Sequence, residues 1–551
     1  MMRCSITGVS WLATTAAFAT AQSVEPLTLV STQYGPVYTE NITDSGVYVY
    51  KGIPFAAPPV GDLRWRSPVA PTPWTDALNA SEVLTHCYFS FNGTFNPPST
   101  PSEDCLYLNV WTNAVATNGS LPVMVWIHGG GFETDSATSY RYDGTLFAEQ
   151  EVVFVSLNYR LGNLGFLARP DLDAEEPDKN SGNFGLQDMI FALSWVRNNI
   201  ANFGGDPNNV LAFGESAGGH ALGLLMASPL AQGLFDKVIM ESGTWWDSEH
   251  GSLATFEESR KRGVVWGDLF GLGSTADDLR ALPVELVVKS SPWIPLTDPG
   301  FTAFAPSIDS YVIPQAPASI FAAGQQMQVP MLAGWNARED TIFQSRALGH
   351  LTAATFNANR DKFFTIPNRH ATNTTAEAAK LYSADSPTTA ESAAYLLVAD
   401  LVIAEQTWEA AYLHSQTSSS LPTYVYHFTY TSDYNPIAGH STELEFLFRT
   451  FYPEPEVDGL TYSNIPDAND YAMGEKMMTY WTNFAKTSNP NLPTSDLDLP
   501  EWLVYNATAN LLLELGNTVQ VRENAEFNRF RFIQSLRDDG VLPPSWRTIF
   551  A

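Results

Sequence analysis

The segment Gly214-Glu215-Ser216-Ala217-Gly218 constrains this chain more than any other. Residues 210–213 before it form a short apolar run suited to a buried strand, and residues 217–226 after it form an apolar, helix-forming stretch. A strand that becomes a helix across one residue needs small flanks, which Gly214, Ala217 and Gly218 supply. The serine hydroxyl then projects above the sheet, over a helix N-terminus that favours developing negative charge. The same pentapeptide also occurs by chance in ordinary strand–turn–helix junctions, so its surroundings decide its meaning.

Those surroundings alternate strand, loop and helix. Apolar runs at 122–127, 152–157, 210–213, 237–240, 330–333 and 424–428 read as strands. Between them, Leu186, Met189, Ile190, Leu193 and Val196 recur at helical spacing within 185–200. The alternation predicts an α/β fold with a mainly parallel central sheet and helices on both faces. No internal repeat interrupts it, and the proline-rich stretches 54–73 and 97–101 read as surface loops, so residues 22–551 read as one large domain. With 44% hydrophobic residues the chain of 551 can bury an extensive core. Its 59 acidic residues against 29 basic ones give a net charge of −30, which repels phosphate backbones and anionic lipid and excludes nucleic-acid binding.

The N-terminus sets an expected compartment. Met1-Met2-Arg3, an apolar stretch 4–18 and the small-x-small triplet Ala19-Thr20-Ala21 read as a secretory signal, 1–21, removed before Gln22. The run is too short and too diluted by Ser, Thr and Gly for a membrane span, and no later stretch is long and apolar enough for one. A secreted, extracellular protein is expected. Cleavage removes Cys4 and leaves Cys87 and Cys105, an even pair that reads as one disulfide. Closing a loop of that size contributes ~3 kcal/mol in the chain-entropy model. Sequons at Asn41, Asn79, Asn92, Asn118, Asn373 and Asn506 fit glycosylation on that route.

A serine nucleophile needs an oxyanion hole and a base. His128-Gly129-Gly130-Gly131-Phe132 directly follows a buried strand, and the N–H groups of Gly130 and Gly131, joined by that of Ala217, form the candidate hole. A phosphate-binding loop is the competing reading, but the Lys-Ser/Thr ending it requires is absent. Six histidines follow the serine at a distance: His250, His350, His370, His414, His427 and His440. His427 falls inside a strand pattern and reads as structural, whereas His440 lies in a loop before the apolar run 444–448. For the orienting acid, Glu339 and Asp340 follow a strand, and Asp309 is a further candidate. Spacing leaves these choices open.

Longer motifs narrow them. The segments Tyr50-Lys-Gly-Ile-Pro-Phe-Ala-Ala-Pro-Pro-Val-Gly61, Glu103-Asp-Cys-Leu-Tyr-Leu-Asn109, Phe203-Gly-Gly-Asp-Pro-Asn-Asn-Val210 with the pentapeptide, and Trp481-Thr-Asn-Phe-Ala-Lys-Thr-Ser-Asn-Pro490 resemble those of type-B carboxylesterases. That family has the α/β-hydrolase fold and also holds cholinesterases, fungal lipases and the non-catalytic neuroligins. Most of the chain is covered. The resemblance implies a catalytic triad of Ser216, Glu339 and His440, carried by the pentapeptide, Gly334-Trp-Asn-Ala-Arg-Glu339 and Ala438-Gly-His440. Asp340 stands where the family has glycine, and Ala212 where it prefers a larger aliphatic residue. Ser242 matches a serine that hydrogen-bonds the triad acid, Arg64–Glu103 and Arg160–Asp188 match structural ion pairs, and Cys87–Cys105 matches the first disulfide.

By this resemblance the chain is a serine carboxylic-ester hydrolase that acts on a small-molecule ester through an acyl-enzyme, with no metal or organic cofactor. A lipase or sterol esterase is the alternative, though the disulfide-closed segment 88–104 is short for an interfacial lid. Cholinesterases place tryptophan where Phe95 stands, a weaker platform for quaternary ammonium. A neuroligin-like adhesion domain would lack the nucleophile. Trp245, Trp246, Phe132, Phe343 and Phe446 either line the cleft or belong to the core. Gly300 and Thr302 replace aromatics that narrow the cholinesterase acyl pocket, which implies an open one. Neither the natural ester nor the oligomeric state follows from the sequence.

Overall fold

The computed structural model describes residues 29–82, 85–89, 99–113, 119–245, 253–271, 273–290, 304–343, 352–365, 374–451, 465–492, 497 and 499–538. The expected signal 1–21, Asn92, Asn118, Asn373, Phe95, His250, His350, His370, Trp246, Gly300, Thr302 and the Phe343 side chain lie outside them.

Ten strands form the central sheet. In chain order they are β1 Tyr48–Pro54, β2 Tyr107–Thr112, β3 Leu121–Ile127, β4 Val153–Leu157 and β5 Gly205–Glu215, then β6 Lys237–Glu241, β7 Met331–Asn336, β8 Thr423–Phe428, β9 Leu511–Leu515 and β10 Val519–Glu523. Their spatial order is β10-β9-β8-β7-β6-β5-β3-β4-β2-β1. From β4 to β9 every neighbouring pair is parallel; β1–β2, β2–β4 and β9–β10 are antiparallel. The sheet is thus mainly parallel, as the alternation predicts, with antiparallel pairs at both edges.

Parallel strands covered on both faces need apolar side chains at every position, which is why β3 and β4 read as unbroken apolar runs. Val123, Val125 and Ile127 join one core with Val153, Val155 and Leu157. Met124 and Trp126 point the other way, into a second core with Phe154 and Phe213. Helices α1 Phe184–Asn199, α2 Ala217–Ala227 and α3 Glu405–Thr417 supply side chains to the first core. Helices α4 Glu443–Leu447 and α5 Ala468–Thr487 supply the second. No helix among the described residues is long and apolar enough to cross a membrane.

The sheet reverses its winding between β3 and β5, because β4 lies to one side of β3 and β5 to the other. At such a switch point the loops leaving the carboxyl ends of neighbouring strands separate and open a crevice. Register aligns those ends: Gly214 sits opposite Ile127, Glu215 opposite Glu241, and Glu241 opposite Gly334. The glycine loop, Ser216, Ser242 and Glu339 therefore all leave the sheet at one edge. A Cys87–Cys105 disulfide ties the chain ahead of β2 to the short strand Thr85–Cys87.

Candidate active site

Ser216 occupies the single residue between β5 and α2, with φ 54° and ψ −122°. A non-glycine residue holds this region only where its surroundings over-determine it. Here the Ser216 N–H donates to the Glu241 carbonyl at 2.9 Å, and the Ser216 carbonyl accepts from the His220 N–H at 2.8 Å. The small flanks are obligatory. A Cβ on Gly218 would lie 2.0 Å from the Ile127 carbonyl oxygen, and one on Gly214 2.6 Å from the same atom. The Ser216 side chain makes no cap hydrogen bond to α2, although it holds the cap position. Its hydroxyl is left for other work.

The glycine loop lies against this turn. A Cβ on Gly129 would sit 3.2 Å from the Ser216 Cβ. Gly130 and Gly131 take φ 94° and 66°, and a Cβ on Gly130 would meet the Thr134 carbonyl oxygen at 2.2 Å. No described residue lies within 4 Å of a Cβ built on Gly131, which leaves room beside the expected hole. Phe132 is buried and packs edge-on to Phe166, anchoring the loop.

His440 and Glu339 come together across 101 residues: His440 Nδ1 lies 2.6 Å from Glu339 Oε2. Glu339 is wholly buried, and its other oxygen accepts the Asn336 N–H at 2.6 Å. Asp340 turns elsewhere, paired with Arg338 at 2.7 and 2.9 Å. The His440 N–H donates to Thr341 Oγ1 at 2.9 Å, fixing the histidine loop to the acid loop. His440 Nε2 makes no hydrogen bond with a described residue. Glu215 Oε1 stands 3.2 Å from it and accepts from Ser441 Oγ at 2.6 Å. Burial works against protonating the ring, but Glu215 and Glu339 outweigh it and raise its pKa above the ordinary imidazole value.

Ser242 departs from expectation. Its hydroxyl donates to Glu443 Oε1 at 3.5 Å rather than to Glu339, whose oxygens are engaged by His440 and by the Asn336 backbone. Glu443 also accepts from the Asn336 side chain. Glu215, Glu241, Glu339 and Glu443 are all at most 2% exposed, so four carboxyl groups share one dry neighbourhood. Burial first, then the other three carboxylates, push Glu443 far above the usual range. Burial and Glu215 raise Glu241 to about 8, although the Trp481 indole N–H donates to it at 2.9 Å. Sequence reasoning passed over Glu215, Glu241 and Glu443, although each sits inside or beside a motif.

The remaining candidates among the described residues are structural. His427 lies in β8 beside Arg522 and Trp335, and burial lowers it to about 4. His414 is held by Gln326 and the Val329 carbonyl. Asp309 caps its own turn through the Tyr311 and Ile313 N–H groups. Arg64–Glu103 and Arg160–Asp188 are ion pairs at 2.6 and 2.7 Å. Trp245 packs on Phe321 and Phe446 on Phe428, both within the core.

A doubly flanked, mainly parallel sheet with a serine on the turn after β5, a glycine loop after β3 and a histidine–glutamate pair beyond β7 is that of an α/β-hydrolase. The chain belongs to the carboxylesterase family, whose model matches residues 27–533, and is a carboxylic ester hydrolase. It is 32% identical to the para-nitrobenzyl esterase of Bacillus subtilis (strain 168) over 513 residues, 90% of this chain and 96% of that one. Liver carboxylesterase 1 of Oryctolagus cuniculus is 32% identical over 548 residues, 92% of each chain. Fumonisin B1 esterase of Sphingopyxis macrogoltabida is 40% identical over 346 residues, 61% of this chain and 62% of that protein's length. Among solved structures, a PNB esterase matches with TM-score 0.74 and 31% identity, over 92% of this chain and 99% of its own. A thermophilic PNB esterase matches with TM-score 0.75, 30% identity and the same coverage.

Proposed function

We propose that the protein hydrolyses small-molecule carboxylic esters by acyl transfer through Ser216, His440 and Glu339. The observation that carries this reading is the 2.6 Å bond between His440 Nδ1 and Glu339, with Nε2 making no hydrogen bond to a described residue. With Nδ1 engaged by the carboxylate, Nε2 takes the Ser216 proton as Oγ attacks the ester carbonyl; this serine–histidine bond closes in the substrate complex. The tetrahedral oxyanion is held by the N–H groups of Gly130, Gly131 and Ala217, each donor contributing ~3 kcal/mol at the transition state. His440 then protonates the departing alcohol, and a water activated by the same ring releases the acid. The chemistry needs no metal or organic cofactor.

Secretion belongs to the same proposal. It is supported by the leader grammar at 1–21, by the Cys87–Cys105 disulfide, and by the exposure of Asn79 and Asn506 at the surface, with Asn41 half-exposed. A lipase-like role is disfavoured by the short disulfide-closed segment, and an adhesion-only role by the presence of all three triad residues. The decisive experiment is labelling of the purified protein with a fluorophosphonate, alongside turnover of p-nitrophenyl esters from acetate to palmitate. Ser216→Ala should abolish labelling and reduce kcat by up to ~10⁶-fold while the protein stays folded. Retained turnover would remove Ser216 as the nucleophile.

A further inference from the structure

Helix α2 follows Ser216 directly, and all eleven of its residues are buried. Its other residues are glycine, alanine, leucine and methionine, which suits an element enclosed on every side. His220 stands among them, wholly buried and the one polar side chain in the helix. Taking an imidazole out of water is costly unless its nitrogens are engaged, so its presence between apolar neighbours calls for a reason.

Its contacts supply one. His220 Nδ1 lies 2.6 Å from the Ser216 carbonyl oxygen. A carbonyl oxygen only accepts, so Nδ1 carries the hydrogen. That oxygen already accepts the His220 backbone N–H at 2.8 Å, as the helix itself requires. Two donors from one residue therefore close on one oxygen, and the second is not needed to satisfy it. The strand end after β6 holds the ring in place. A Cβ on Gly243 would lie 2.3 Å from His220 Nδ1 and 2.5 Å from the Ser216 carbonyl oxygen, so the residue after Ser242 has to be glycine for the pair to form. On the other side of the nucleophile, the Ser216 N–H is tied to the Glu241 carbonyl. Both peptide units that flank Ser216 are thus pinned.

The carbonyl that His220 holds belongs to the Ser216–Ala217 peptide, and the N–H of that same peptide is the one assigned to the oxyanion. A trans peptide is planar, with its C=O and N–H directed to opposite sides. Fixing the oxygen on one side therefore fixes the direction of the Ala217 N–H on the other. A hydrogen bond to the oxygen also polarises the amide and strengthens its N–H as a donor. Oxyanion stabilisation depends on donors aimed in advance, because a donor that must turn during the reaction gives back part of its contribution. We propose that His220 is a positioning residue for the oxyanion hole: through Nδ1 it locks and polarises the peptide whose N–H meets the tetrahedral oxyanion. It acts through that peptide and not on the substrate. The inference deepens the esterase reading and rests on it.

The test separates the donor from the bulk of the ring. His220→Asn loses the ring but places its amide nitrogen where Nδ1 stands; His220→Leu keeps the branch and loses the donor. Active sites are counted by the end point of fluorophosphonate labelling and folding is checked by thermal unfolding, so rates refer to folded enzyme. With p-nitrophenyl butyrate, His220→Leu should lower kcat about tenfold and leave KM within about twofold, less than the loss expected for deleting an oxyanion donor outright. His220→Asn should recover most of that loss, although both variants give up the packing of the ring. Trifluoromethyl hexyl ketone, which forms a tetrahedral oxyanion on the serine, should bind His220→Leu more weakly by the same factor as kcat. Methyl hexyl ketone, which stays trigonal, should bind both variants as it binds the wild type. Should His220→Leu fail to fold, His220→Gln, whose amide is displaced by one methylene, is read in its place. Unchanged kcat in His220→Leu, equal losses in His220→Leu and His220→Asn, or a loss that leaves trifluoromethyl ketone binding untouched would overturn the proposal and leave the esterase reading standing. If the wild type turns over no ester at all, the esterase reading falls and takes this one with it.

Discussion

Glu339 and Asp340 are neighbours in sequence and both are buried, yet their bonds separate them. Glu339 binds His440 Nδ1 and the Asn336 N–H, whereas Asp340 is absorbed by Arg338. Glu339→Gln should therefore lower kcat by about 10⁴-fold, because the amide no longer stabilises the imidazolium or enforces its tautomer. Asp340→Asn should lower it modestly, since that pair is half-exposed on the arginine side. The two variants assayed side by side decide the matter, and the reverse ranking would reassign the acid. His440 supplies a second test. Its base form is lost as pH falls through its pKa, and Glu215 together with Glu339 raises that pKa. The acid limb of kcat/KM against pH should thus lie above the ordinary imidazole value of about 6.5. Glu215→Gln removes the larger of the two raising charges and should move the limb to lower pH. A limb that stays in place would show that Glu215 does not act on the ring.

At the scale of elements, the elbow depends on contacts that leave no room for a side chain. Helix α2 packs so closely on the strand end after β6 that a Cβ on Gly223 would lie 1.3 Å from the Thr244 carbonyl oxygen. A Cβ on Gly219 would lie 2.5 Å from the Gly243 carbonyl oxygen. Gly223→Ala must displace the helix, so a loss of about 3 kcal/mol or more is expected, read as a lowered urea midpoint at unchanged slope. Wild-type stability in that variant would mean that α2 has a slack the packing does not suggest. The strand–elbow–helix unit was legible in the sequence because every signal agreed: an apolar run, small flanks, then helix-forming residues. Strands β1, β2, β9 and β10 were not anticipated. They pair at the sheet edges; in β10 the exposed Gln520 and half-buried Arg522 interrupt the apolar pattern, and for β1 and β2 the partner strand lies far along the chain.

For the whole molecule, the four buried carboxyls couple stability to pH. Glu241 is raised to about 8 in the folded state, by burial first and by Glu215, and ionises near 4.3 in an unfolded chain. The folded state therefore binds more protons than the unfolded one across that interval, and stability falls as pH rises through it. Thermal unfolding between pH 5 and 9 should show this decline. Glu241→Gln keeps an acceptor for the Trp481 N–H and should flatten it. An unchanged slope would place the effect on other groups, Glu443 among them. The sequence by itself determined the layered α/β architecture, the pentapeptide turn, the glycine loop and the Cys87–Cys105 pairing, because periodicity, residue size and cysteine count act locally. Only the tertiary structure decided what Ser242 binds, which of two adjacent acids meets His440, and that Glu215, Glu241 and Glu443 crowd the same site. Each of these depends on distances between side chains 101 to 226 residues apart, set by strand register at a single sheet edge, and no local pattern encodes such a distance.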